Sequence, residues 1–224
     1  PQKCEDCFYQ SGRSYLEPLD KNLPNMPTKE DVGEFRIVRV NDGNDSNNKR
    51  SLVQMSTQQY RLKFYNTSIN KDISGLDAPV VLTLNPGKMT DKDWYKLEGS
   101  IPVNLMYVRI RTNTWNLEMV DEAIEYYTER KVPVILTFMA YYRESIPEGH
   151  KDNYVFRKRT LNSYWAITTD AWEKVMDKYK YNTWVYSCGK IEGEKGNSKC
   201  TRCGNCIREF YNTMDRCQTL GERK

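Results

Sequence analysis

Seven cysteines carry the chemical signal of this 224-residue chain, and they stand only at its two ends: Cys4 and Cys7 at the front, then Cys188, Cys200, Cys203, Cys206 and Cys217 at the back. Cys4-Glu5-Asp6-Cys7 is a C-x2-C pair. That spacing lets two thiolates reach one metal ion or cluster, but a stable site needs three or four ligands. The missing partners of Cys4 and Cys7 must come from the other end of the chain or from residues ahead of Pro1. A disulfide framework suits the chain poorly, because a protein of this size builds its own core and shows no secretory marks. Short thiol spacings without such marks point to metal binding in a reducing, cytoplasmic compartment.

Four thiols at the back, Cys188, Cys200, Cys203 and Cys206, fall within 19 residues. Cys200-Thr201-Arg202-Cys203-Gly204 matches a zinc knuckle, in which the glycine lets backbone amides turn toward sulfur. The same C-x2-C-x2-C run matches a ferredoxin-type loop with its fourth ligand elsewhere. Zinc and an auxiliary iron–sulfur cluster therefore both stay open. Cys217 reads as a free thiol, or as a substitute for Cys188.

These ends frame a strand–helix alternation. Strands are expected over 35–40, 63–69, 79–84, 104–110 and 132–138, where β-branched and aromatic residues run together. Helices are expected over 49–62, 90–97 and 117–130, the last with Leu117, Val120, Ala123, Ile124 and Tyr127 at core-facing spacing. The aromatic and basic stretch 141–165 reads as a long loop. A helix from Thr169 to about Tyr179 and a short strand over 181–186 follow. Buried-looking strands separated by helices imply parallel pairing. In parallel sheets and barrels, ligands sit at the C-terminal strand ends. Those ends are polar here: Asn41 to Asp45, Asn66 to Ser68, Asn85 to Lys88, Arg111 to Asn113, and Thr137 to Tyr141. Arg109 and Arg111 alternate on one strand and share a face.

A cysteine one position before Pro1 would turn the front pair into C-x3-C-x2-C. Completed in this way, the motif resembles that of the radical S-adenosylmethionine (radical SAM) enzymes. The tail, with Ser187-Cys188-Gly189-Lys190 and Cys203-Gly204-Asn205-Cys206, also resembles endings found in a radical SAM-like group. The resemblance implies an α/β fold, a partial (β/α)6 TIM-like barrel over 1–180 lacking its first strand, with a cysteine-rich metal-binding region over 181–224. It implies three thiolates, Cys4 and Cys7 among them, on a 4Fe–4S cluster whose open iron chelates S-adenosylmethionine. Reductive cleavage then yields a 5′-deoxyadenosyl radical that abstracts hydrogen from a substrate. Asn41, Asp42, Gly43, Asn44 and Asp45 occupy the place of the family's glycine-containing segment, which meets the methionyl end. Asn85, Arg111 and Asn113, at later strand ends, would seat ribose and carboxylate. Cys188, Cys200, Cys203 and Cys206 stand where the family often carries a second metal site. An electron donor such as flavodoxin or ferredoxin is implied. Two features depart from the family pattern: Asp6 precedes Cys7 where an aromatic residue is usual, and Asn-Asp-Gly-Asn-Asp replaces a glycine pair with glutamate.

Composition narrows the alternatives. The chain is 38% hydrophobic, 29% charged and 12% aromatic, which suits a folded domain and excludes a disordered one. No run approaches the roughly 18 apolar residues of a membrane span. The net charge of +4 permits an anionic ligand or an RNA surface without demanding either. His150 is the only histidine, which leaves triad chemistry little to work with. Asn85-Pro86-Gly87-Lys88 lacks the second glycine of a phosphate loop. Two competitors remain. One is a non-catalytic, zinc-stabilised α/β module that binds RNA or a protein partner; the other is a degenerate barrel without cofactor cleavage.

Overall fold

The computed structural model describes residues 26–40, 45–86, 94–158, 163–189 and 200–221. Short runs of β-branched, aromatic and other apolar residues form six parallel strands among the described residues: β1 (Val38–Arg39), β2 (Lys63–Thr67), β3 (Val80–Leu84), β4 (Leu105–Thr112), β5 (Val134–Phe138) and, after a hairpin described below, β8 (Val185–Ser187). They lie side by side in chain order, every neighbour parallel, in one curled half-barrel sheet. Consecutive parallel strands need crossovers that return over one face. Three helices occupy that face: α2 (Arg50–Ser56) after β1, α3 (Leu117–Glu129) after β4 and α4 (Thr169–Asp177) before β8, all following the short α1 (Lys29–Val32).

Alternation along the strands splits the core in two. Val80, Leu82 and Leu84 of β3, Val108 and Ile110 of β4, and Val134 and Leu136 of β5 pack under α2, α3 and α4 with Val53, Ala123, Tyr127 and Val175. Residues of opposite parity face the inner side: Phe64, Val81, Tyr107 and Ile135, joined by Met106 and by Phe210 of a C-terminal helix. That helix, α6 (Asn205–Gly221), follows the one-turn α5 (Cys200–Cys203). A third cluster caps the rim with Tyr141, Ile146, Tyr154, Ile167 and Trp172.

Several boundaries depart from the sequence reading. The first strand pairs only at Val38 and Arg39. The helix expected over 49–62 stops at Ser56, where the Thr57 hydroxyl donates back to the Val53 carbonyl at 2.8 Å. Of the helix expected over 90–97, residues 94–97 form a turn and irregular chain, and 90–93 lie outside the described residues. The stretch 141–165 is not a long loop. It holds two 3-10 turns and an antiparallel hairpin, β6 (Tyr154–Arg157) with β7 (Tyr164–Ile167), whose edge is tied to the main body through Tyr141 and Trp165.

A buried cation anchors the N-terminal end of β2. Lys63 donates to the Thr57 carbonyl and to Asp77, both at 3.3 Å, and the Tyr65 hydroxyl donates to Asp77 at 2.7 Å. Burial alone would raise the Asp77 carboxyl, but the Tyr65 hydroxyl and the Lys63 ammonium outweigh it and hold the group below the usual carboxylate range. A carboxyl depressed in the folded state contributes stability above its unfolded pKa and loses it as pH falls through the folded value. Asp77→Asn is therefore expected to cost about 1 kcal/mol at neutral pH, discounted for the half-exposed carboxylate. In urea titrations the gap from the parent should narrow below a pH of about 4.

Candidate metal and anion site

The inner face of β4 carries Tyr107, Arg109 and Arg111 in strict alternation, and its neighbours complete a polar surface. Thr83 of β3 is in register with Arg109, and Thr137 of β5 is in register with Arg111. Tyr107 is fully buried. Its hydroxyl accepts a hydrogen bond from Arg109 Nη2 at 2.9 Å and lies 3.0 Å from the Cys206 sulfur, to which its own proton is free to point. Burial pushes the Tyr107 phenol well above its ordinary value, so it stays protonated as a donor.

Arg109 is surrounded by sulfur and phenol rather than carboxylate. Burial works against its charge, yet Tyr107, Cys188 and Cys206 outweigh burial and hold the guanidinium firmly protonated. Cys188 follows β8 directly and its amide donates to the Leu136 carbonyl at 2.8 Å, which places it at the C-terminal end of the sheet. Burial raises the Cys188 thiol; Arg109 opposes that, while Cys206 and Cys203 add to it. Three of the four tail thiols thus share one neighbourhood with a cation. Cys200, the first residue of α5, is exposed. Between Cys203 and Cys206, Gly204 turns the chain at φ 69°, its amide donating to the Cys200 carbonyl at 3.0 Å. A side chain there would meet no neighbour but would strain the backbone, which is the role the knuckle-like spacing assigns to glycine. The thiols with an adjacent guanidinium suit a thiolate-bound metal in donor chemistry. Among the described residues, however, no group of three or more Cys, His, Asp or Glu side chains is placed to hold an ion.

Of the rim residues singled out in the sequence, Asp45 is fully engaged by its own chain. Its carboxylate accepts from the Asn47 amide, the Thr67 hydroxyl and the amide and hydroxyl of Ser68, at 2.6 to 2.9 Å. It fastens the loop after β1 to the end of β2. Asn113 is also committed: its amide nitrogen donates to the Tyr141 hydroxyl at 3.2 Å and its oxygen accepts from the Trp115 amide at 3.0 Å. Asn85 lies just past β3 and is partly buried. Arg111 is 9% exposed, with the Tyr141 ring centroid 5.2 Å away. Arg109 Nε, Arg111 Nη2 and the Thr137 hydroxyl are buried without a nitrogen or oxygen hydrogen-bond partner among the described residues, and the Thr137 hydroxyl lies within reach of the Cys188 thiol. Cys4, Cys7, Asn41, Asp42, Gly43 and Asn44 lie outside the described residues. Tyr107 was not singled out by sequence, although it stands two residues before Arg109 and so shares its face, whereas Thr137 was named only as the start of a polar strand end.

The fold and these residues define an α/β protein with a curled, six-stranded parallel sheet whose inner face is lined by cations and thiols. No protein-family model, curated protein or solved structure matches the chain. Among the described residues no helix is long and apolar enough to cross a membrane.

Proposed function

We propose that this chain is a radical SAM enzyme, in which Cys4, Cys7 and a cysteine upstream of Pro1 hold a 4Fe–4S cluster. The observation that carries this reading is a C-x2-C pair placed ahead of six parallel strands arranged in chain order, the first of them leading directly into Asn41 to Asp45. When bound, the cluster supplies the electron that splits the sulfonium of S-adenosylmethionine, and hydrogen abstraction from a substrate follows. The chain's own residues bind and orient. Asp45 fixes the loop that meets the methionyl end. Asn85 and Arg111 line the rim for ribose and carboxylate. Asn113 holds the Tyr141 ring beside Arg111, and the aromatic cap of Tyr141, Trp115 and Tyr154 keeps water from that end of the sheet. A flavodoxin or ferredoxin would donate the electron. Cys188, Cys200, Cys203 and Cys206 form a second site for zinc or an auxiliary iron–sulfur cluster.

A second reading, the non-catalytic module, draws on the hairpin. Phe156 is 50% exposed against Trp165, and Arg157 and Lys158 follow it, an aromatic and basic surface of the kind that binds RNA. Anaerobic purification of the chain with its natural upstream residues separates the two. The enzyme reading expects a brown protein whose iron and sulfide match a four-iron cluster, with a second metal in the tail. A colourless protein containing zinc alone supports the module.

A further inference from the structure

Arg111 places a charge in the interior for which no described residue provides a counter-ion. It is nine-tenths buried, its Nη2 has no partner, and among the described residues no carboxylate pairs with it. Thr137 stands across the β4–β5 ladder in register with it, and its hydroxyl, beside the Cys188 thiol, has no oxygen or nitrogen partner among the described residues. Both side chains belong to the inner-face parity, one step from the strand ends. An uncompensated buried cation is costly, and a fold keeps one where a ligand completes it. Arg109 differs in that its Nη2 already donates to the Tyr107 hydroxyl at 2.9 Å, leaving its Nε as the unpartnered atom.

We propose that Arg111 and Thr137 form a subsite for an oxyanion, the carboxylate or phosphate of a bound small molecule. A guanidinium offers a planar fork of donors that fits two oxygens, and a neighbouring hydroxyl can supply a third hydrogen bond. The Tyr141 ring lies beside that fork, its centroid 5.2 Å from the guanidinium carbon. Tyr141 is itself fixed by Asn113 and by paired backbone hydrogen bonds with Trp165 at 2.8 and 2.9 Å. The subsite lies at the C-terminal ends of parallel strands, where such sheets take their ligands. Where the oxyanion is the cofactor's carboxylate, the subsite deepens the reading proposed above; as a phosphate site it requires only the sheet, and the phosphate arm tests it without iron.

Thermal unfolding of the whole chain in phosphate, against chloride at matched ionic strength, tests this. Phosphate should raise Tm by roughly 5–10 °C at about 100-fold above its dissociation constant. Arg111→Met should abolish that shift and melt above the parent in chloride, because the unpaired charge is gone. Should Arg111→Met fail to fold, Arg111→Lys, which keeps the charge but not the fork, should lose more than half of the shift. Two additives identify the source of the oxyanion: S-adenosylmethionine, and 5′-methylthioadenosine, which lacks the carboxylate. Stabilisation that needs the carboxylate and excludes phosphate assigns the subsite to the cofactor, whereas additive stabilisation assigns it to a separate substrate. No shift in the parent with either phosphate or acetate, or a shift that survives in the Arg111 variants, overturns the proposal.

Discussion

On the radical SAM reading proposed above, Cys4→Ser and Cys7→Ser, each made with the upstream residues that reading calls for, are expected to remove the iron of the proposed cluster and all reductant-dependent cleavage of S-adenosylmethionine. A three-thiolate cluster has no spare ligand, and serine oxygen is a poor substitute for sulfur on iron. The tail variants Cys203→Ser and Cys206→Ser should instead remove only the second metal. Loss of the front ligands with retention of metal in the tail is the signature of two independent sites. If the front variants keep their full iron content, Cys4 and Cys7 are not ligands.

The largest effect on stability is expected at Phe210. It is 1% exposed and carries α6 onto the inner face against Phe64, whose ring centroid is 6.5 Å away. Arg216 fastens the same helix by donating to the Val103 and Leu105 carbonyls at 3.0 and 2.6 Å. Phe210→Ala removes the apolar anchor and leaves a cavity beside Val81, Met106 and Ile135. The expected cost is about 3–5 kcal/mol, measured as a shift in the urea midpoint without loss of slope. Because Cys206 lies one helical turn before Phe210, the variant should also weaken metal retention in the tail. Arg216→Ala should cost less, since its contacts are half-exposed hydrogen bonds, about 1 kcal/mol.

The periodic elements were legible in the sequence. The strands at Lys63, Val80, Leu105 and Val134 and the helix beginning at Leu117 announce themselves by β-branched runs and by 3.6-residue spacing. The parallel order also followed from their alternation. The hairpin was hidden because Tyr154-Val155-Phe156 is short and runs into Arg157-Lys158-Arg159, a polar stretch that reads as loop until a partner strand is found for it. Helix α6 was hidden behind its cysteines. Cys206, Phe210 and Met214 repeat every four residues and all meet the inner face, a stripe that attention to metal spacing obscured. The unpartnered state of Arg111 and Thr137 depends on the ladder register and on which described side chains reach them, and neither is written in local sequence. Asp45 and Asn113 were legible as polar strand-end residues; that their oxygens are spent on their own chain was not.

Anaerobic reconstitution of the upstream-extended chain with iron and sulfide, followed by dithionite and S-adenosylmethionine, bears most directly on the iron-centred chemistry. Chromatographic detection of 5′-deoxyadenosine, formed in amounts that rise with iron content and vanish in Cys4→Ser, is the expected result. A protein that carries a full cluster complement yet yields no 5′-deoxyadenosine, or one that takes up no iron at all, would contradict it.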